Sequence, residues 1–399
     1  MYKLYCRIYQ EIIKFFSPVL PWRQPILVDG DGCIKELADF IKTQNMDKLL
    51  IVADGEVSSL GIMGTLLKGL QKLNIEFFIY DDTVSNPTIE NVEEALEIYK
   101  NNSCQGVIAF GGGSIIDCAK GVCARVANPS KSISDMKGYL KVRKRIPMLI
   151  AVPTTSGSGS EATAATVIRD DKARVKYILG DMALIPNVTM LDPRLTVNLP
   201  PSITASSGMG ALTQAVEAYI GRSNTTDTWK FSRSAIKLIF ENLQDAYVKG
   251  TNIDAREKIQ RAAFQSGMAI NKAYVGYANA ISHALGGFYS VSHSQTSAII
   301  LPYVLEWYGV DAEKSLSELA DLTGVCNSDD IQEEKAAKFI NEIRVMNKAL
   351  SIPDKIKELS ETDIPVLAKN AMLEGNPMYP VPKIMLLEDF ISIFEKIKL

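Results

Sequence analysis

Roughly the first half of the chain alternates short apolar runs with amphipathic segments, and that alternation narrows the possible folds to one architecture. Residues 48–53, 75–80, 106–110 and 148–152 are short runs dominated by Leu, Ile, Val, Phe and Ala. Between them, 61–73, 88–101 and 114–126 carry apolar residues at helical spacing, the second with a start signal at Asn86-Pro87-Thr88. Strands that alternate with helices predict a parallel sheet with crossover connections. Ligands of such sheets bind beyond the carboxyl ends of the strands. After Leu199-Pro200-Pro201 the strand signals give way to helical periods over 205–220, 229–248, 254–274, 276–286 and 293–307, with amphipathic helices to the C-terminus. The reading is α/β plus all-α: a nucleotide-binding domain over 1–199 and an all-helical domain over 200–399. A chain of 399 residues is too long for a single core and suits two.

Composition excludes several functions. A net charge of −3 gives no basic field for nucleic acid. Six scattered cysteines without a Cys-x-x-Cys pair read as buried thiols of a reducing, cytoplasmic setting, not as a disulfide frame. Only two histidines occur, His283 and His293, so a metal site built from several histidines has one possible place. The first 22 residues form an amphipathic helix, with Leu4, Ile8, Ile12, Phe15, Phe16 and Val19 near a helical period. Lys3, Arg7, Glu11 and Lys14 interrupt it, so no transmembrane segment is expected. Two readings stand: packing on the protein's own body or a partner subunit, or an interaction element that docks elsewhere.

Phe110-Gly-Gly-Gly-Ser-Ile-Ile-Asp-Cys-Ala-Lys120 joins the third strand to a helix. Three glycines let the backbone come close to a phosphate and take angles closed to other residues. The helix start beyond them offers free N–H groups and a positive dipole end. Ser114 is placed to cap that helix and to donate to a phosphate oxygen. Alone, the run is equally a tight turn. A second loop, Pro153-Thr-Thr-Ser-Gly-Ser-Gly-Ser-Glu161, follows the next strand with five hydroxyls. It reads either as a capped helix start or, with the first loop, as a cradle for a pyrophosphate and a ribose. Asp54 ends the first strand. It can accept both hydroxyls of an adenosine ribose, or simply close a turn with Gly55. It precedes the glycine loop, whereas the usual dinucleotide fingerprint has its acid about 20 residues after, so this is not the usual Rossmann motif.

The order of these motifs resembles the iron-containing (group III) alcohol dehydrogenases. The likeness rests on the early acid, Gly-Gly-Gly-Ser-x-x-Asp, Pro-Thr-Thr-x-Gly-Ser-x-x-Glu and Leu191-Asp192-Pro193. It continues through Ser207-Gly-Met-Gly-Ala-Leu-Thr-Gln-Ala-Val-Glu-Ala-Tyr219, the segment from His283 to His293, and Asn376-Pro377, and so spans nearly the whole chain. The resemblance implies a dehydroquinate-synthase-like two-domain fold with NAD(H) in the cleft between the domains. It also implies a small alcohol or aldehyde substrate and a homodimer. By position, Asp54 is the ribose acceptor and favours NAD over NADP. Gly112, Gly113 and Ser114 are the pyrophosphate loop, and Asp117 is a further cofactor contact. Thr154, Thr155 and Ser158 line the cofactor, and Lys176 reaches the ribose side.

The family holds one divalent metal on an Asp and three His. Here Gly210, Gln214 and Asn279 occupy three of those positions, and only His293 keeps a ligand. Glycine has no side-chain donor, and neutral amide oxygens are weak ligands for iron or zinc. No metal is therefore expected. Three readings follow. The chain is an NAD-dependent oxidoreductase in which His293 or His283 donates the proton, helped by hydrogen bonds from Gln214 and Asn279. Or it is an NAD-binding, non-catalytic structural or regulatory subunit. Or the pocket serves another reaction with NAD fixed. A lone histidine on the apolar helix around His283 can also be a satisfied core residue. Phe288, Tyr289, Tyr274 and Tyr277 are either pocket lining or core.

Overall fold

The strands of the α/β half comprise nearly continuous apolar runs at the centre of the sheet, as strands covered on both faces require, and more exposed or more polar ones beside them. In the computed structural model, which describes residues 1–289 and 291–399, they are β1 (Ile26–Asp29), β2 (Lys48–Val52), β3 (Glu76–Tyr80), β4 (Gly106–Gly111), β5 (Gly138–Tyr139), β6 (Met148–Pro153), β7 (Ala165–Asp170), β8 (Val175–Gly180) and β9 (Val188–Leu191). Six of them form a sheet in the order β1-β9-β6-β4-β2-β3, every neighbouring pair parallel. The rest form a small sheet in the order β5-β8-β7, in which β7 and β8 are an antiparallel hairpin.

The two-residue period of a strand sends alternate side chains to opposite faces. Leu50, Val52, Val107, Ala109, Leu149 and Ala151 pack in a cluster with residues of helices Ile89–Asn101 and Gly113–Ala127. Leu49, Ile51, Ile108, Phe110, Ile150 and Val152 pack in another with residues of Leu37–Thr43 and Gly64–Lys72. Thr88 caps helix Ile89–Asn101 in a reciprocal box with Asn91.

The chain divides into two units. One is Pro21–Leu199 with Thr251–Phe264; the other is Met1–Leu20, Pro200–Gly250 and Gln265–Leu399. This differs from the expected division at two places. Thr251–Phe264 groups with the α/β unit, where Gln260 Nε2 donates to Pro153 O and Arg261 pairs with Asp29. The N-terminal helix, Tyr2–Phe16, groups with the helical unit instead of the nucleotide-binding half. The reason is its polar side. Arg7 donates to Val381 O at 2.7 Å and Pro382 O at 2.6 Å, and Gln10 Nε2 donates to Tyr379 O at 2.7 Å. Lys14 donates to Arg222 O. The helix is thus held by its polar residues, while Leu4, Ile8, Ile12, Phe15, Phe16 and Val19 are exposed. Hydrogen bonds from a charged donor are worth about 1.5–3 kcal/mol each. We therefore expect Arg7→Ala to lower unfolding stability by about 2 kcal/mol or more in denaturant titration. An unchanged midpoint would mean that the clasp contributes nothing.

In the helical unit, Pro201–Ile220 is buried on all sides from Thr204 onward, the mark of a central helix. Thr226–Val248, Tyr277–Phe288, His293–Tyr308, Glu313–Thr323, Gln332–Ala349, Ile364–Gly375 and Leu387–Ile397 complete the unit with the later part of Ile253–Ala273.

Candidate active site

β2, β4 and β6 are neighbours, and their carboxyl ends carry Asp54, the glycine loop and the hydroxyl loop respectively. Thr154 N donates to Gly111 O at 3.1 Å, which fixes the start of one loop against the other. A Cβ on Gly113 would stand 2.6 Å from Ser158 Cβ, and one on Gly112 3.2 Å from Thr155 Oγ1. Gly112 has φ −74° and ψ −174°, ordinary extended backbone. The glycines here serve close approach between the loops, not the unusual angles that the sequence suggested. Ser114 is also not the cap: Gly112 holds that position, and Ser114 Oγ accepts from Asn86 N at 3.2 Å.

Asp54 caps helix Gly55–Ser59, with Oδ1 accepting from Val57 N at 2.8 Å. One carboxylate oxygen is therefore committed to the fold. Asp117 Oδ2 accepts from Val167 N at 3.1 Å, and its carbonyl accepts from Thr166 Oγ1 at 2.8 Å, so this helix is tied to β7. Burial pushes the Asp117 carboxyl up to about 6, against the opposing pull of Lys120 and Lys176. Lys176, on β8 opposite Arg169, thus brings its charge to the same end of the helix.

Lys120 was not singled out by the sequence reading. It is fully buried, and Nζ donates to Thr163 O at 2.7 Å, Thr163 Oγ1 at 2.9 Å and Ala165 O at 2.8 Å. All three of its hydrogens are used to strap the chain that leaves the hydroxyl loop. Burial pushes Lys120 down to about 8, and Glu161 up to about 7. The available signal was a lysine three residues after Asp117, on a helix face with Ile116, Cys123 and Ala124.

In the helical unit, Gly210, Gln214 and Glu217 lie on Pro201–Ile220. A Cβ on Gly210 would stand 2.8 Å from Ser294 Cβ and 2.9 Å from its Oγ. Ser294 therefore fills the space into which a side chain at 210 would project. Gln214 Oε1 accepts from Ser266 Oγ at 3.2 Å. Asn279 Nδ2 donates to Glu217 Oε2 at 2.6 Å. Glu217 is buried and also accepts from Gly276 N at 2.8 Å and Ala278 N at 2.6 Å, closing the start of helix Tyr277–Phe288. Burial raises its carboxyl, and these donors oppose the shift. One N–H of the Asn279 amide is thus engaged at this helix start.

His283 and His293 lie side by side. Their rings stack with centroids 4.5 Å apart and planes 26° from parallel. His283 Nδ1 lies 2.7 Å from Glu374 Oε1, and His293 Nδ1 lies 2.8 Å from Ser282 Oγ. The sequence reading missed Glu374, Ser282 and Tyr379, whose hydroxyl donates to Glu374 Oε1 at 2.8 Å. Glu374 is 91 residues from its partner, and no spacing rule links them. Tyr277 belongs to the core: it is fully buried, packs on Tyr308 and Phe390, and donates to Asn376 Oδ1 at 2.7 Å. Tyr289 donates to Asp363 Oδ2.

The chain thus combines an α/β unit, with loops at the carboxyl ends of β2, β4 and β6, and a helical unit that carries the His283–His293 pair. Residues 25–193 match the iron-containing alcohol dehydrogenase family, and 204–398 match the C-terminal region of the same family. Alcohol dehydrogenase 4 of Saccharomyces cerevisiae is 35% identical over 352 residues, covering 87% of this chain and 90% of that protein. The NAD-dependent methanol dehydrogenase of Bacillus methanolicus is 31% identical over 384 residues, 96% of this chain and 99% of that one. The solved alcohol dehydrogenase of Oenococcus oeni superposes with a TM-score of 0.90 at 30% identity, covering 95% of this chain and all of the other. The chain belongs to the iron-containing alcohol dehydrogenase family. Among the described residues, no helix is long and apolar enough to cross a membrane.

Proposed function

We propose that this protein is an NAD(H)-dependent alcohol/aldehyde oxidoreductase in which the stacked His283–His293 pair does the work that a metal does elsewhere in the family. The observation that carries the reading is that pair, with each Nδ1 held by a side chain and each ring therefore fixed in orientation. The loops at the carboxyl ends of β2, β4 and β6 keep the residues a dinucleotide needs, and the NAD-dependent relative lends weight to NAD(H) as the cofactor.

The residues at the family's metal position do not fit iron or zinc. Position 210 offers no donor and abuts Ser294, Asn279 is bonded to Glu217, and Gln214 offers only a neutral amide. Among the described residues, no group of three His, Cys, Asp or Glu converges to hold a metal ion. In the direction of reduction, NAD(H) held by the loops after β2, β4 and β6 would supply the hydride; the chain's own part is the proton, which one imidazolium gives to the carbonyl oxygen, leaving a neutral imidazole. Gln214 keeps its amide N–H groups for the same oxygen. A panel of short aldehydes with NADH and metal-free protein tests this directly. Turnover supports the reading, and stoichiometric NADH binding with no turnover on any member contradicts it.

The reciprocal pair Gly210 and Ser294 gives a separate test. Gly210→Asp should lower the thermal midpoint, because overpacking costs about 1–3 kcal/mol and a buried unpaired carboxylate costs more. Adding Ser294→Gly should recover part of the loss. Equal midpoints for the single and double variants would show that Ser294 does not fill that space.

A further inference from the structure

We infer that Glu374 is a positioning residue that makes His283, and not His293, the proton donor of the pair; this rests on the function proposed above. The two imidazoles differ in what faces Nδ1. For His293 it is the Ser282 hydroxyl, which also donates to the His293 carbonyl at 2.8 Å and meets Thr296 Oγ1. A hydroxyl brings no charge to stabilise an imidazolium. For His283 it is a carboxylate, with the pair largely shielded from water at 11% and 17% side-chain exposure. A carboxylate on Nδ1 keeps the ring proton on that nitrogen, leaves Nε2 as the exchanging atom, and stabilises the cation that must form before a proton is given up. Among the described residues, the titratable groups against this ring are Glu374 and the stacked His293, with Tyr379 bound to Glu374.

The carboxylate is itself held. Glu374 lies in the last turn of Ile364–Gly375, and its Oε1 accepts from both His283 and Tyr379. Tyr379 N donates to Gly375 O at 2.7 Å, and Tyr379 O accepts from Gln10 Nε2. Arg7 pins the next carbonyls, Val381 and Pro382. The N-terminal helix therefore sets the turn that supports the Glu374–His283 contact.

The test combines nitrogen-15 NMR of the imidazoles with kinetics. The chain has only two histidines, so His293→Gln assigns the signals. The wild-type protein should show His283 in the Nδ1–H tautomer. Glu374→Leu should lose that preference and lower kcat about 100-fold, with KM and NADH affinity little changed. Glu374→Gln keeps an acceptor without the charge. It should retain the tautomer yet lower kcat about 10-fold, and it guards against a leucine variant that fails to fold. Glu374→Asp should restore part of the rate. An unchanged tautomer in Glu374→Leu, or an unchanged kcat in both variants, would overturn the inference. A wild-type protein that reduces no aldehyde would instead sink the proposed function and the donor role with it. The NMR would then still show whether Glu374 orients the ring.

Discussion

His283→Ala is expected to slow aldehyde reduction about 10²–10⁴-fold, the usual contribution of a positioned general acid, while NADH binding followed by fluorescence stays within about two-fold of wild type. The separation follows from where the residues lie. The loops proposed to hold NAD(H) belong to the unit containing Pro21–Leu199, whereas His283 sits in the other unit on Tyr277–Phe288. The loops are held by contacts within their own unit: Gly113 packs on Ser158, and Lys120 straps Thr163 and Ala165. In a metal-dependent relative the metal stabilises the developing alkoxide, so loss of a nearby imidazole leaves the main source of stabilisation in place. On the proposed function the imidazole takes over that stabilisation, and its loss should be severe. A His283→Ala variant that reduces aldehydes at the wild-type rate would show that the proton comes from elsewhere.

Lys120→Met should destabilise the α/β unit by about 3–5 kcal/mol, as removal of one partner from a buried charged network does. Methionine keeps the bulk of the stem, so the loss isolates the ammonium. Without it, the Thr163 carbonyl loses its charged donor, the Ala165 carbonyl is left with Thr163 Oγ1 at 3.2 Å, and Asp117 and Glu161 lose the cation that opposes their burial. At about 2–4 °C per kcal/mol for a unit of this size, the thermal midpoint should fall by roughly 10 °C. NADH affinity should weaken too, because the freed segment ends the loop that carries Thr154, Thr155 and Ser158. A midpoint within about 2 °C of wild type by calorimetry would mean that the lysine is replaceable.

The sequence announced what local physics controls. β2, β3, β4 and β6 are apolar runs bounded by polar residues, and the structure places them within a residue or two of the expected ranges. β1 and β9 were missed because each has only four residues, and β1 lies at the edge of its sheet with Ile26 and Leu27 exposed. The β7–β8 hairpin escaped because its strands mix charged residues such as Arg169, Asp170 and Lys176 with apolar ones. In the site, the glycine and hydroxyl loops were legible because each is a contiguous motif. Glu374, Ser282 and the fit of Ser294 against Gly210 were not, because each is a contact made by tertiary packing between separate helices. The N-terminal helix shows the same limit. Its period was plain, but which side would face the body was not, and the hydrogen bonds of Arg7 and Gln10 decided it against the apolar face.

Elemental analysis of protein loaded separately with iron and zinc, with NADH binding and aldehyde turnover followed on the same samples, distinguishes a histidine pair that replaces the metal from a metal site built by other ligands. Well under one metal per chain, stoichiometric NADH binding, and turnover indifferent to added metal or chelator are expected. One tightly held metal per chain, with activity that appears only when it is bound, would rule out the histidine pair as the substitute and return the protein to the family's ordinary chemistry.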